Sequence, residues 1–146
     1  CVDTHQHLWV LSERSYDWIV PEYGILNADY RPEDVASDIV AAGVTSTVLV
    51  QAADTYDDTF YMLSVARAHA HVRGVVGWVP FDRPIEAREA LDLLGGHHAI
   101  KGYRNLTHNY PDPRWILQKS VVETLRDIAS RGLALDMVSV NTSLMP

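Results

Sequence analysis

One cysteine is all the sequence has, at Cys1, and a lone thiol closes no internal disulfide, so any fold must rest on an apolar core. Basic residues are scarce as well: 12 lysines and arginines stand against 19 acids, for a net charge of −7. A nucleic-acid binder needs a basic face to neutralise phosphates, and a polybasic membrane patch needs clustered cations; this balance suits neither. No apolar run approaches the ~20 residues that cross a bilayer, and no basic segment leads into an apolar stretch at the start. The expectation is a cytoplasmic protein with no nucleic-acid and no membrane partner. Also missing are a Gly-rich phosphate loop, a Cys-X-X-Cys pair and a Gly-X-Ser-X-Gly elbow, which sets aside three common chemistries. The chain opens on Cys1 rather than a methionine, already inside a strand-like run, and is expected to have a start that was trimmed or never captured.

What is present is globular. Hydrophobic residues make up 47% and charged residues 21% of 146 positions, enough apolar material for one ordinary domain. Short apolar runs alternate with helical patterns. Strands are expected over residues 1–9, 45–51, 74–79, 99–104 and 133–140. The first helix is announced by Arg31-Pro32-Glu33-Asp34, with proline and acids in the first turn and Gly43 past its end. Further helices are expected over 56–70, capped by Asp54 or Thr55, over 84–94 before Gly95-Gly96, and from Pro113 or Arg114 to Arg131. Strict β–α alternation implies a parallel sheet with crossover helices. Such a sheet is either an open doubly wound layer or part of a (β/α)8 barrel. A full barrel takes eight strands and ~250 residues. As a barrel, this chain would be the N-terminal portion of one α/β domain, truncated to five strands and four helices. Its open sheet is expected to promote self-association.

The chemistry-bearing residues begin in the first strand. Residues two apart on a strand share a face, so Asp3, His5 and His7 project together. Two imidazoles at that spacing can both donate a nitrogen to one divalent ion. Asp3, a pleat earlier, would steady a ligand histidine. Polar groups in an otherwise apolar strand are costly unless they have a task.

The stretch Val2-Asp3-Thr4-His5-Gln6-His7-Leu8-Trp9 resembles the opening strand of the amidohydrolase-related family, in its sugar-lactonase branch. Three further segments resemble that branch in order: Val48-Leu49-Val50-Gln51-Ala52-Ala53, Gly74-Val75-Val76-Gly77-Trp78-Val79 and Ile100-Lys101-Gly102-Tyr103-Arg104. Tyr16-Asp17-Trp18 and Asp112-Pro113-Arg114-Trp115 fit too, so the likeness runs from the first residue to about Asp136. It implies a (β/α)8 TIM-barrel hydrolase that opens a sugar-derived lactone, or a related ester or amide, with water activated by a metal or a base. His5 and His7 match the family's metal-binding histidines. The implied cofactor is a divalent ion, zinc first, with metal-independent action left open because usage varies in the branch. The family's later histidine and acidic residue have no counterpart here, which places the general base outside these 146 residues. The alternatives are a metal-dependent decarboxylase of the wider family and a non-catalytic piece.

Around that strand, Lys101 and Arg104 at the fourth strand are candidates to meet a carboxylate or hydroxyl-rich small-molecule substrate, arginine bidentately. Gly102 between them admits a close approach by ligand or backbone. Gln51, ending strand two, is a candidate donor to a substrate oxygen, and His108 a candidate contact in the loop after strand four. Trp78 reads as core more than as a sugar platform. Asp136, an acid in an apolar strand, reads either as an orienter of the site or as an ion-pair partner. His69, His71, His97 and His98 fall away from the expected site.

Overall fold

The computed structural model describes residues 1–138. Five strands, β1 (Val2–Gln6), β2 (Ser46–Val50), β3 (Val72–Gly77), β4 (Ile100–Asn105) and β5 (Ala134–Met137), form one sheet in chain order. All four neighbouring pairs are parallel. Between them lie α1 (Pro32–Ala41), α2 (Tyr56–Ala68), α3 (Pro84–Leu94) and α4 (Lys119–Ser130).

The sheet is curled into a half-barrel. Adjacent strands sit ~4.8 Å apart, so β1 and β5 would be roughly 19 Å apart in a flat sheet. Yet His5 Nδ1 on β1 lies 3.8 Å from Asp136 Oδ2 on β5. Only strong curvature brings those side chains together. The convex face carries the helices and the main core, in which Leu49, Val75 and Tyr103 of the strands meet Met62, Leu91, Val121 and Ile128. In α3 the buried positions are Ala87, Ala90, Leu91 and Leu94, the three-and-four spacing of a one-faced helix.

The element boundaries follow the local chemistry closely. Pro84 opens α3, and Thr55 caps α2 by accepting from the Asp58 amide at 3.2 Å. Gly43 and Gly132 take φ of 67° and 70° after α1 and α4, the left-handed exit glycine allows. The fourth helix departs from expectation. It starts at Lys119 rather than Pro113 or Arg114, because Trp115–Leu117 form a separate 3-10 turn and Gln118 is extended, with ψ of 142°. Trp115 is buried and stacked on Tyr110 at 3.9 Å between centroids, which pins that turn away from the helix axis. The far end of the expected fifth strand, Ser139 and Val140, lies outside the described residues.

The long connection from β1 to α1 folds back over the strand ends. A bridge between Trp9 and Tyr30 closes it, and Trp9, Tyr16, Ile19, Ala52 and Ala53 form a second, smaller apolar cluster. This cluster walls one side of the concave mouth.

Candidate functional site

The curl aims β1, β4 and β5 at one point above the C-terminal ends of the strands, although the register of β1 shifts between Asp3 and Gln6 and breaks the simple alternation expected from Asp3 to His7. His5 and His7 meet there with their Nε2 atoms 3.2 Å apart. His7 Nδ1 is 2.8 Å from the Val50 carbonyl, which can only accept, so the Nδ1 proton is donated to it. Burial pulls the His7 pKa below its usual value, and the nearby Arg104 adds to this against the pull of the Val50 bond. A neutral His7 with its proton on Nδ1 therefore turns an Nε2 lone pair toward His5. Arg104 Nη1 lies 3.0 Å from His5 Nε2, and a guanidinium can only donate. His5 Nε2 is an acceptor as well. Arg104 thus holds the single lone pair of His5 Nε2 while the His7 lone pair stands beside it, and a cation shared by the two nitrogens would have to take the place of the Arg104 bond.

The pair fits a divalent ion. Two nitrogens each ~2.0–2.1 Å from one tetrahedral ion lie roughly 3.3 Å apart, close to the observed separation. The Val50 carbonyl orients His7 in the manner of an outer partner to a metal ligand. Among the described residues, however, no group of three or more histidine, cysteine, aspartate or glutamate side chains gathers to hold an ion. His5 and His7 supply two ligands.

Arg104 is only 7% exposed although it is cationic. Burial lowers its pKa, while Asp136, Asp54 and Asp58 draw it back up. Asp136 Oδ2 stands 3.9 Å from Arg104 Nη1 and 3.8 Å from His5 Nδ1, completing a His5–Arg104–Asp136 triangle. Beside the triangle a pocket of about 240 Å³ is lined by His7, Trp18, Ala52, Arg104, Leu106 and His108. Trp18 is fixed in that wall by its indole donating to the Ala52 carbonyl at 2.7 Å. His108 is exposed at the rim. A larger groove of about 380 Å³ runs past Phe60, Leu63, Arg67, His97 and His98, but its polar residues are solvated and converge on nothing.

The other residues singled out from the sequence stand elsewhere. Lys101 is not part of the mouth: its Nζ donates to the His98 carbonyl at 2.8 Å, at the N-terminal end of β4, three residues of strand away from Arg104. Gln51 reaches the right end of β2 but is fully buried, and its amide donates to Asp54 Oδ1 at 2.8 Å and the Arg104 carbonyl at 3.1 Å. It fastens β2 to β4 rather than facing a ligand. Asp3 accepts from the His5 backbone amide at 3.1 Å, so it steadies the strand and not an imidazole ring. Trp78 is buried, edge-on to Tyr56. Gly102 serves backbone approach: a Cβ there would lie 2.4 Å from the Ala134 carbonyl oxygen on β5.

Two acids behind the mouth were not singled out from the sequence as site residues, Asp54 having been read only as a possible helix cap. Asp58, 2% exposed, accepts from the Ala52 and Ala53 amides at 2.7 and 3.2 Å and from the Tyr16 hydroxyl at 2.9 Å. Asp54 accepts from Gln51 and from the Leu106 amide at 3.0 Å. Burial raises the pKa of both carboxyls, against the pull of these donors. Their position three and seven residues past Gln51, in a segment following an apolar strand, is the signal that was available.

With this geometry established, the chain can be set beside known proteins. No family model matches it. It is 29% identical over 135 residues to an L-fucono-1,5-lactonase of Burkholderia ambifaria, covering 92% of this chain and 46% of that protein. It superposes with a TM-score of 0.82 and 25% identity on an amidohydrolase from Burkholderia multivorans crystallised with bound Hepes, covering 92% of this chain and 47% of that one. A second structure of a Burkholderia multivorans amidohydrolase, with bound zinc, matches at a TM-score of 0.81 and 22% identity. The chain spans about half the length of the relatives it matches. The chain is thus similar in sequence to an L-fucono-1,5-lactonase, and its five-stranded fold matches about half of an amidohydrolase chain.

Proposed function

We propose that the protein hydrolyses a lactone, sugar-derived or of a related cyclic ester, in the pocket between Trp18, His7 and Arg104. The observation that carries this reading is the convergence of His5, His7 and Arg104 at the C-terminal mouth of the strands, where barrels of this type place their active sites. Similarity to an L-fucono-1,5-lactonase supports the substrate class.

The reaction adds water to the acyl carbon, breaks the ring carbon–oxygen bond, and yields a carboxylate and a hydroxyl with one proton released. Arg104 donates toward the carbonyl oxygen, whose negative charge grows as water adds; a desolvated guanidinium is well suited to that charge. Once Arg104 has moved off it onto the carbonyl oxygen, His5 has its Nε2 lone pair free to take a proton from water, a role the family resemblance had assigned to a residue outside these 146. His7, locked by the Val50 carbonyl, presents its own Nε2 lone pair 3.2 Å from that of His5, where it can accept from the same water. Trp18 and Leu106 offer apolar walls for the ring, and His108 lies within reach of an exocyclic hydroxyl at the rim. A divalent ion held by His5 and His7 would add Lewis acidity toward the carbonyl.

Proton release from L-fucono-1,5-lactone and from a simple δ-lactone, followed with a pH indicator, tests the assignment. Turnover above the spontaneous rate is expected, falling about 100-fold or more in His5→Ala and His7→Ala. Equal rates with and without protein on both substrates would sink it.

A further inference from the structure

The Arg104 guanidinium lies where a metal ion on His5 would have to be. We propose that Arg104 and a divalent cation compete for His5 Nε2, so that this arginine acts as a built-in cation that weakens metal binding at the histidine pair. The argument rests on three observations. The Arg104 Nη1–H donates to His5 Nε2 at 3.0 Å, which engages the single lone pair that nitrogen has. The two histidine Nε2 atoms are already spaced as for one ion, at 3.2 Å, so the pair needs no rearrangement to bind once that lone pair is free. And Arg104 is 7% exposed with its Nε buried and, among the described residues, without a partner, so its charge is poorly screened where an incoming cation would sit.

Asp136 provides the way out. It stands 3.9 Å from Arg104 Nη1, just beyond hydrogen-bonding distance, and the guanidinium can close on it when it leaves His5. The site then has two exclusive arrangements. In one, Arg104 rests on His5 and the mouth offers a fixed organic cation to an anionic or carbonyl oxygen. In the other, Arg104 rests on Asp136 and His5 with His7 is free to take an ion. Arg104 is thereby a positioning residue for the metal as well as a contact for substrate. This inference rests on the histidine pair being the functional centre, and its test reads metal affinity, whereas the hydrolase reading stands or falls on turnover.

The experiment is calorimetric titration of zinc chloride into the parent protein, Arg104→Met, and Arg104→Met combined with His5→Ala. Zinc is expected to bind Arg104→Met roughly ten- to a hundred-fold more tightly than the parent, the range over which groups bonded to a metal ligand alter affinity. The gain should vanish when His5 is also removed. Equal zinc affinity in parent and Arg104→Met, or a gain that survives His5→Ala, overturns the proposal. A second measurement does not depend on the variants folding: long-range proton–nitrogen NMR of the histidine rings in the parent protein. The proposal requires His5 to carry its proton on Nδ1 and to accept at Nε2. A His5 protonated at Nε2 refutes it.

Discussion

Asp58 illustrates what a single side chain contributes when it is taken out of water. Its two oxygens receive three donors, the Ala52 and Ala53 amides and the Tyr16 hydroxyl, which joins the loop after β1, the end of β2 and the start of α2. Without it, two buried amides and a buried phenol lose their acceptor. Asp58→Ala is expected to lower unfolding free energy by about 3 kcal/mol, measured by urea denaturation, because stranded donors carry their full desolvation cost. Asp58→Asn should cost less, since one oxygen remains. A loss below about 1 kcal/mol in Asp58→Ala would show that water satisfies these groups. The contrast with His5 and His7 explains what could be read in advance. The shared face of the histidines is a local property of strand alternation, visible within three residues. The partners of Asp58 and Gln51 lie up to 53 positions away, and no local pattern announces them. Lys101 differs: its type suggested a ligand, but it stands at the N-terminal end of β4 and donates to the His98 carbonyl three residues before it.

At the scale of elements, α3 and α4 are held together by charge over an apolar seam. Asp127 of α4 accepts from Arg131 at 2.8 Å and from Arg88 of α3 at 3.3 Å, while Arg131 also reaches Asp92 of α3 at 2.7 Å. The Arg131 bond above all, with help from Arg88, holds the Asp127 carboxyl below its ordinary value of 3.8. A depressed folded-state value stabilises the fold above the unfolded pKa, and that contribution is lost as pH falls through the folded one. Asp127→Asn is therefore expected to lower stability by about 0.5–1 kcal/mol at neutral pH. Thermal melts should show the gap between parent and variant closing at more acidic pH, below the ordinary value. A gap independent of pH would mean packing, not charge, is what the substitution disturbs. Both ends of α3 were legible because proline and glycine mark them chemically. The start of α4 was not, because Trp115 leaves the helical line to stack on Tyr110, a tertiary preference that overrides a continuous helical pattern.

For the molecule as a whole, β–α alternation was enough to foresee a parallel sheet, but not to choose between an open doubly wound layer and a curled sheet with its strands in chain order. The curl is set by strand twist and by side chains that meet only in three dimensions, as His5 meets Arg104 and Asp136. The five strands among the described residues leave the curled sheet with two edges. Among the described residues β1 pairs only with β2, and β5 only with β4, so each presents a row of unpaired backbone donors and acceptors. Apolar side chains accompany them: Val2 is 54% exposed, Leu135 39% and Met137 45%. Unpaired edges flanked by exposed apolar groups template pairing with another chain, and a lysine on an edge strand is how natural sheets prevent it. We therefore expect these 146 residues, as a free polypeptide, to self-associate with rising concentration in sedimentation velocity runs. Val2→Lys together with Leu135→Lys should move the onset to roughly tenfold higher concentration, a change of about 1.4 kcal/mol. The distinction from general stickiness lies in a control, Leu93→Lys, which removes an 80% exposed leucine from the outer face of α3 and should leave the onset where it was. A sedimentation coefficient that stays monomeric across the whole range, or an onset that moves with Leu93→Lys and not with the edge pair, would show that the strand edges are not the adhesive surface.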